Sequence, residues 1–208
     1  MIKQIKMKPR FRNKIKKYIR HIPLTGGEWT TINTPLMKEY KKTLRNQLSI
    51  YQNNECAFCG LKLNETGKAE IEHIAPKGGE KRPKYVQYTF TTYNLVLACS
   101  LCNSPIKKGS KDTIDNFDKT NKNYRQNTFN IYHPYFDDPN EHFEYKTQKN
   151  TNIIIGISKK GIHSIDVFDL NSEAHCIARV KNLLYETLKQ NGDLEKLLNQ
   201  ALIYPKTS

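Results

Sequence analysis

The chain lacks any run of about 18 apolar residues, which excludes a membrane-spanning helix. Its opening residues, Met1-Ile-Lys-Gln-Ile-Lys-Met-Lys, are positively charged, but no apolar segment follows them. A secretory signal is therefore not expected, and a cytoplasmic location is the default. No internal repeat and no low-complexity tract is found. Acidic residues are missing from positions 1–20, where nine Lys or Arg stand (Lys3, Lys6, Lys8, Arg10, Arg12, Lys14, Lys16, Lys17, Arg20). Tryptophan occurs once, as Trp29, and is expected to dock onto the fold rather than onto a base.

What remains is a polar, soluble chain with 37% hydrophobic residues and a mean hydropathy of -0.73. At 208 residues it can bury a real core, as one domain with extensions or as two small domains. The net charge of +14 attracts polyanions through counterion release. Taken alone, the first 20 residues also read as a solvated basic arm.

Cysteine is scarce but patterned. Four of the five stand in two pairs, Cys56-Ala-Phe-Cys59 and Cys99-Ser-Leu-Cys102, which fits a reducing compartment and one tetrahedral zinc ion better than a disulfide framework. The pairs are separated by 39 residues, more than in a simple ribbon, so zinc would staple an insertion rather than a bare turn. Cys176, in an expected helix, reads as an ordinary buried side chain.

Inside that insertion lies Ile71-Glu72-His73-Ile74-Ala75-Pro76. A histidine near neutral pKa can activate water, and a carboxylate can hold Mg²⁺. In a regular strand Glu72 and His73 point to opposite faces, so a joint role needs the strand to end or bulge there. An isolated Glu-His pair is ordinarily a surface ion pair or a core histidine; its place between two knuckles is what singles it out.

The remaining pattern divides the chain into a basic arm (1–35), a core with a leading helix (36–125) and a C-terminal extension (126–208). Leu36, Tyr40, Leu44, Leu48 and Tyr51 predict a helix to about Gln52, with Asn53-Asn54 as a turn. Residues 69–75 and 94–98 read as strands, and 104–109 as a basic loop or a helix start. Asn152–Ser158 and Ile162–Leu170 alternate around Lys159-Lys160-Gly161, predicting a β-hairpin. Helices follow from Asn171 or Ser172 to about Gln190 and from Asp193 through Ile203.

The sequence Cys-x-x-Cys, Ile-Glu-His-Ile-x-Pro, Tyr-Asn-Leu-x-x-x-Cys-x-x-Cys-Asn, with Lys108-Gly109 following, resembles the HNH (ββα-metal) endonuclease family over about residues 55–110. The fold implied is α+β: a ββα-metal core stapled by a four-cysteine zinc site, with flanking helices and a C-terminal β-hairpin plus helices. By that likeness His73 is the general base and Asn94 the brace that orients it. Glu72 and Asn103 take the ligand positions for a catalytic Mg²⁺ or Mn²⁺, and Cys56, Cys59, Cys99 and Cys102 hold structural Zn²⁺. Glu stands where Asp is common and Asn where many members have His, which leaves the metal preference open. The activity implied is hydrolysis of DNA phosphodiester bonds, RNA not being excluded.

Leu44-Arg45-x-x-Leu48, Gln52, His133-Pro134 and Asp137-Asp138-Pro139 extend the likeness to HNH effectors of anti-phage systems, the Septu type (PtuB) and retron-associated proteins. That likeness implies a defence role and an ATPase partner of the PtuA type. His133 has two readings, a packed hydrogen-bonded side chain or a residue at the cleft edge. Lys77, Lys107 and Lys108 are expected to border the cleft and touch phosphates. The other histidines carry no usable pattern. Two rival readings stand beside the nuclease: a non-catalytic zinc-stapled nucleic-acid-binding module, and a regulatory or scaffold subunit.

Overall fold

The N-terminal stretch, read from its charge as a basic arm, carries two helices in the computed structural model, which describes residues 1–65, 68–118, 120, 123–148 and 151–203. They are α1 (Asn13–Arg20) and the single turn α2 (Glu28–Thr31). The reason lies in four isoleucines spaced among the lysines. Ile2, Ile5, Ile15 and Ile22 are buried in the common core, so charge governs only the outward face. The Ile5 amide also donates to the Pro134 carbonyl at 2.7 Å.

Helix α3 (Pro35–Tyr51) follows the expected pattern. Thr34 caps it through the Met37 amide, Pro35 opens it, and Met37, Tyr40, Leu44 and Leu48 form the buried stripe. Asn53 and Asn54 then reverse the chain at φ of 52° and 54°. Gln52 ties the helix end to the next element, because its side-chain amide exchanges two 2.8 Å hydrogen bonds with the backbone of Leu97.

Strand β1 (Ala69–His73) leads through the two-residue hairpin β2 (Gly78–Gly79) and β3 (Arg82–Pro83) to β4 (Leu95–Cys99). β1 and β4 are antiparallel, with Ala69 opposite Cys99 and His73 opposite Leu95. All five residues of β4 are buried, which explains its unbroken apolar run. After Cys102 the chain runs as turns through Ser110, so no helix follows the strand pair at that point. Pro105 and Gly109 account for this. Gly109 sits at φ +44°, and a Cβ there would come within 2.6 Å of the Pro105 carbonyl oxygen.

The C-terminal part begins with the short pair β5 (Ile114–Asp115) and β6 (Thr128–Phe129). The hairpin that follows is not the one the alternation predicts. It joins β7 (Phe143–Gln148) to β8 (Thr151–Gly156), while Lys159–Phe168 is helix α4. Ser158 caps that helix by accepting from the Gly161 amide at 3.0 Å, and Gly161, Ser164, Val167 and Phe168 form its buried face. Gly161 is therefore not a turn glycine. A Cβ there would lie 2.0 Å from the His142 carbonyl oxygen, so it serves close packing. Helices α5 (Glu173–Gln190) and α6 (Asp193–Ile203) finish the chain as expected. The architecture is mixed α+β, with four two-stranded sheets among the described residues. No helix among the described residues is long and apolar enough to cross a membrane.

Candidate functional site

The β1–β4 pair has two ends, and each carries one set of candidate residues. At the Cys99 end the four cysteines converge. The first knuckle closes through Gly60 N–H to Cys56 carbonyl (2.9 Å) and Cys56 N–H to Leu61 carbonyl (2.8 Å). The second closes through the Cys102 and Asn103 amides onto the Cys99 carbonyl (3.1 and 3.0 Å). All four sulfurs are buried and lie within 4.8 Å of one another.

The Cys59 and Cys99 sulfurs are 3.8 Å apart. A tetrahedron with metal–sulfur bonds of about 2.3 Å has edges of about 3.8 Å, so the quartet fits one metal such as zinc. Burial and the neighbouring thiols push Cys102 well above the ordinary thiol range, while hydrogen bonds from Cys102, Cys56 and Cys59 pull Cys99 far below it. Thiols this close share protons, and a divalent cation is what lets all four ionise. His175 joins them from α5 with Nε2 3.5 Å from Cys102 Sγ. Its Nδ1 lies 2.9 Å from the Asp169 carbonyl, so Nδ1 carries the proton. Distance along the chain hid this neighbour, 73 residues from Cys102.

At the other end, strand alternation separates Glu72 from His73. His73 is buried, with its Nε2 3.0 Å from the Thr89 carbonyl. A carbonyl only accepts, so Nε2 bears the proton and Nδ1 holds the lone pair. The Trp29 ring stands edge-on over the imidazole at 4.7 Å. Burial first, then the ammonium groups of Lys77, Lys108 and Lys41, push the His73 pKa down to about 3 against the raising effect of the Thr89 bond. The imidazole is thus neutral at pH 7.

Glu72, on the opposite face, pairs with Lys108, whose fully buried ammonium also donates to the His73 carbonyl at 2.7 Å. Asn103 reaches Glu70 rather than Glu72, at 2.7 Å. Glu70 was not singled out from the sequence, although period-two spacing places it on the same strand face as Glu72.

Asn94 uses its full hydrogen-bonding capacity. Its Oδ1 accepts from the Ala75 amide (2.6 Å) and the Tyr124 hydroxyl (2.9 Å), and its Nδ2 donates to the carbonyls of Ala75 (3.1 Å) and Tyr88 (3.0 Å). It therefore clamps both ends of the loop that carries Thr89. His133, fully buried and stacked on Phe136 at 4.0 Å, extends this chain. Its Nδ1 accepts from the Tyr135 amide, so Nε2–H donates to the Tyr124 oxygen at 3.0 Å.

Of the three lysines nominated for phosphates, one is buried and two are half-buried. Lys108 is buried, Lys107 pairs with Asp169 at 3.2 Å, and Lys77 donates to the Gly78 carbonyl.

With this geometry in place, one comparison bears on it. The chain is similar to a Septu protein. Over 140 residues it is 30% identical to the Septu protein PtuB of Bacillus mycoides (strain KBAB4), an alignment covering 62% of this chain and 47% of the relative. The chain thus spans about half the length of that curated PtuB. No family model matches the chain.

Proposed function

We propose that the chain is a divalent-metal-dependent HNH-type endonuclease that hydrolyses DNA phosphodiester bonds. The observation that carries this reading is the tautomer of His73: its Nε2–H is committed to the Thr89 carbonyl, which leaves the Nδ1 lone pair as the atom that can accept a proton. That is the tautomer a general base for water requires. Asn94 acts by fixing the loop that presents Thr89, so it positions the base without touching the reacting atoms.

The opposite face of β1 is rich in oxygen ligands and suits a hard cation. Glu70, Glu72 and Asn103 share that face, and a Lys108 ammonium is already drawn to Glu72. Glu72 and Asn103 would hold Mg²⁺ or Mn²⁺, which supplies neutralisation of phosphate charge and stabilisation of the departing oxygen. For His73 Nδ1 to take the proton from the attacking water, the phosphate must reach both faces around the end of β1 at His73, and Trp29 must swing aside to admit water and phosphate.

The likeness to PtuB supports a place in an anti-phage defence system, with an ATPase of the PtuA type as partner. Purification with the products of neighbouring genes, followed by mass analysis, tests the partnership. Nicking of supercoiled plasmid with Mg²⁺ or Mn²⁺, comparing wild type with His73→Ala, tests the activity. Equal cleavage by both removes the assignment.

One observation favours a second reading. His73 lies under Trp29 while Glu72 is neutralised by Lys108 on the other face, an arrangement that also suits a non-catalytic zinc-stapled binding module. That module binds nucleic acid with salt sensitivity, is indifferent to His73→Ala and cleaves nothing.

A further inference from the structure

Of the cations that sequence places at a nucleic-acid cleft, Lys108 is buried and Lys77 and Lys107 are half-buried and already bonded, so freely exposed charge is sought elsewhere. Four exposed cations line a groove of about 440 Å³ between the N-terminal arm and the loop through Phe90 and Thr92. Lys8, Arg10, Lys16 and Arg20 stand on its rim, all exposed, and no Asp or Glu lines it. Among the described residues none of these four forms an ion pair.

The rim is held in place rather than trailing in solvent. Ile15 is buried beneath α1, and the Gln47 side chain bonds both the amide and the carbonyl of Arg10 (2.8 and 2.7 Å).

The floor is aromatic. Phe11 and Phe90 are half-buried on either side of the fully buried Tyr40, with ring centroids 4.6 and 5.8 Å from it. Phe90 also contacts Trp29 (6.0 Å), which covers His73 (4.7 Å), and it directly follows Thr89, whose carbonyl holds His73. One continuous row of rings therefore links the groove to the candidate base.

We infer that this groove is the track for a single nucleic-acid strand. Its cations take the phosphates, and bases stack on the exposed faces of Phe11 and Phe90. Free base faces exist only in an unpaired strand. A duplex has its base faces stacked away and can use the cations alone. The inference deepens the nuclease reading by supplying the substrate's path. It is tested by binding without added magnesium or manganese, so its failure and the failure of cleavage are separate results.

The experiment is fluorescence anisotropy of the full chain with a 20-nucleotide single-stranded DNA, an RNA of the same sequence and the corresponding DNA duplex. The variant K8Q/R10Q/K16Q/R20Q is expected to weaken single-strand binding at least about 30-fold and to lower the slope of log K against log salt by about 3, near 0.7 per lost phosphate contact. A control removing four exposed cations elsewhere, K38Q/K42Q/K146Q/K159Q, is expected to weaken it less than about three-fold. Phe90→Leu keeps an apolar floor without a stacking face. It is expected to weaken single-strand binding about five- to ten-fold and to leave duplex binding unchanged.

Comparison of the two single strands separates the sources. Preference for either DNA or RNA names the substrate within the proposal. Equal losses in the two quadruple variants, or an equal effect of Phe90→Leu on duplex and single strand with an unchanged melting temperature, overturn it.

Discussion

The two ends of the β1–β4 pair are built from the same strands yet obey different rules. At the Cys99 end each pair of ligands is held by its own short knuckle, so the ligands converge wherever the strands place the two knuckles. At the His73 end the candidate residues sit directly on the strand, and alternation sends Glu72 to one face and His73 to the other. The contrast shows why a metal quartet can be assembled locally, whereas a hydrolytic site here must be completed from a distance. Thr89, Trp29, Lys108 and the Asn94 clamp all come from outside the strand that carries His73 and Glu72.

The largest effect that would break this comparison is loss of the metal end. Cys99→Ser should remove bound zinc and the cooperative melting transition. A structural zinc contributes on the order of 10 kcal/mol to folding. Metal analysis together with calorimetry checks this, and a variant that melts like wild type would deny the cysteines their structural role.

Asn94→Ala comes next. It strands the Ala75 amide and carbonyl in a buried site, at about 1–3 kcal/mol for each group left unsatisfied, and leaves the Tyr88 carbonyl with the Thr91 amide and the Tyr124 hydroxyl with His133 as remaining partners. We expect a total on the order of 4 kcal/mol by urea denaturation, so fold and function cannot be separated at this position.

Lys108→Met should cost about 2–4 kcal/mol by leaving the Glu72 carboxylate without its ammonium. In exchange Mn²⁺ should raise the melting temperature of the variant more than that of wild type, and Glu72→Gln should abolish that response. An identical response in wild type and Lys108→Met would show that the ammonium does not compete for the cation position.

The smallest effect is on pH dependence. Burial, then the nearby Lys160, holds the His133 pKa well below the usual histidine value. Its folded-state pKa is depressed, so the unfolded chain binds the extra proton. Stability is therefore full above about pH 6.5 and falls as pH drops, by about 1.4 kcal/mol per unit for one proton. His133→Gln should reduce that slope by about one proton, while the depressed His73 keeps the remainder. An unchanged slope would mean that His133 is protonated in the folded state.

Elements with a single unambiguous period were legible in the sequence: α3, β1, β4, α5 and α6 fall where spacing puts them. The cysteine quartet was legible for the same local reason. What escaped depended on contacts across the chain. Charge masked α1, whose one buried side chain, Ile15, joins the core only in the assembled fold. Gly161 mimicked a turn, although its lack of a side chain serves the approach of α4 to His142.

At the site, Glu72, His73 and Asn94 stood out by motif, but their partners did not. Thr89 contributes only a carbonyl, Tyr124 lies 30 residues from Asn94, and His175 reaches the cysteines from α5. Lys108 looked like a surface cation until its ammonium was found between Glu72 and the His73 carbonyl.

The division of labour between the two ends is tested most directly by plasmid nicking with Mn²⁺ and zinc analysis of the same preparations of wild type and His73→Ala. Equal zinc is expected in both, with cleavage reduced at least about a hundred-fold in the variant, within the range for removing a general base. Equal cleavage at equal zinc content, or zinc lost together with the histidine, would contradict it.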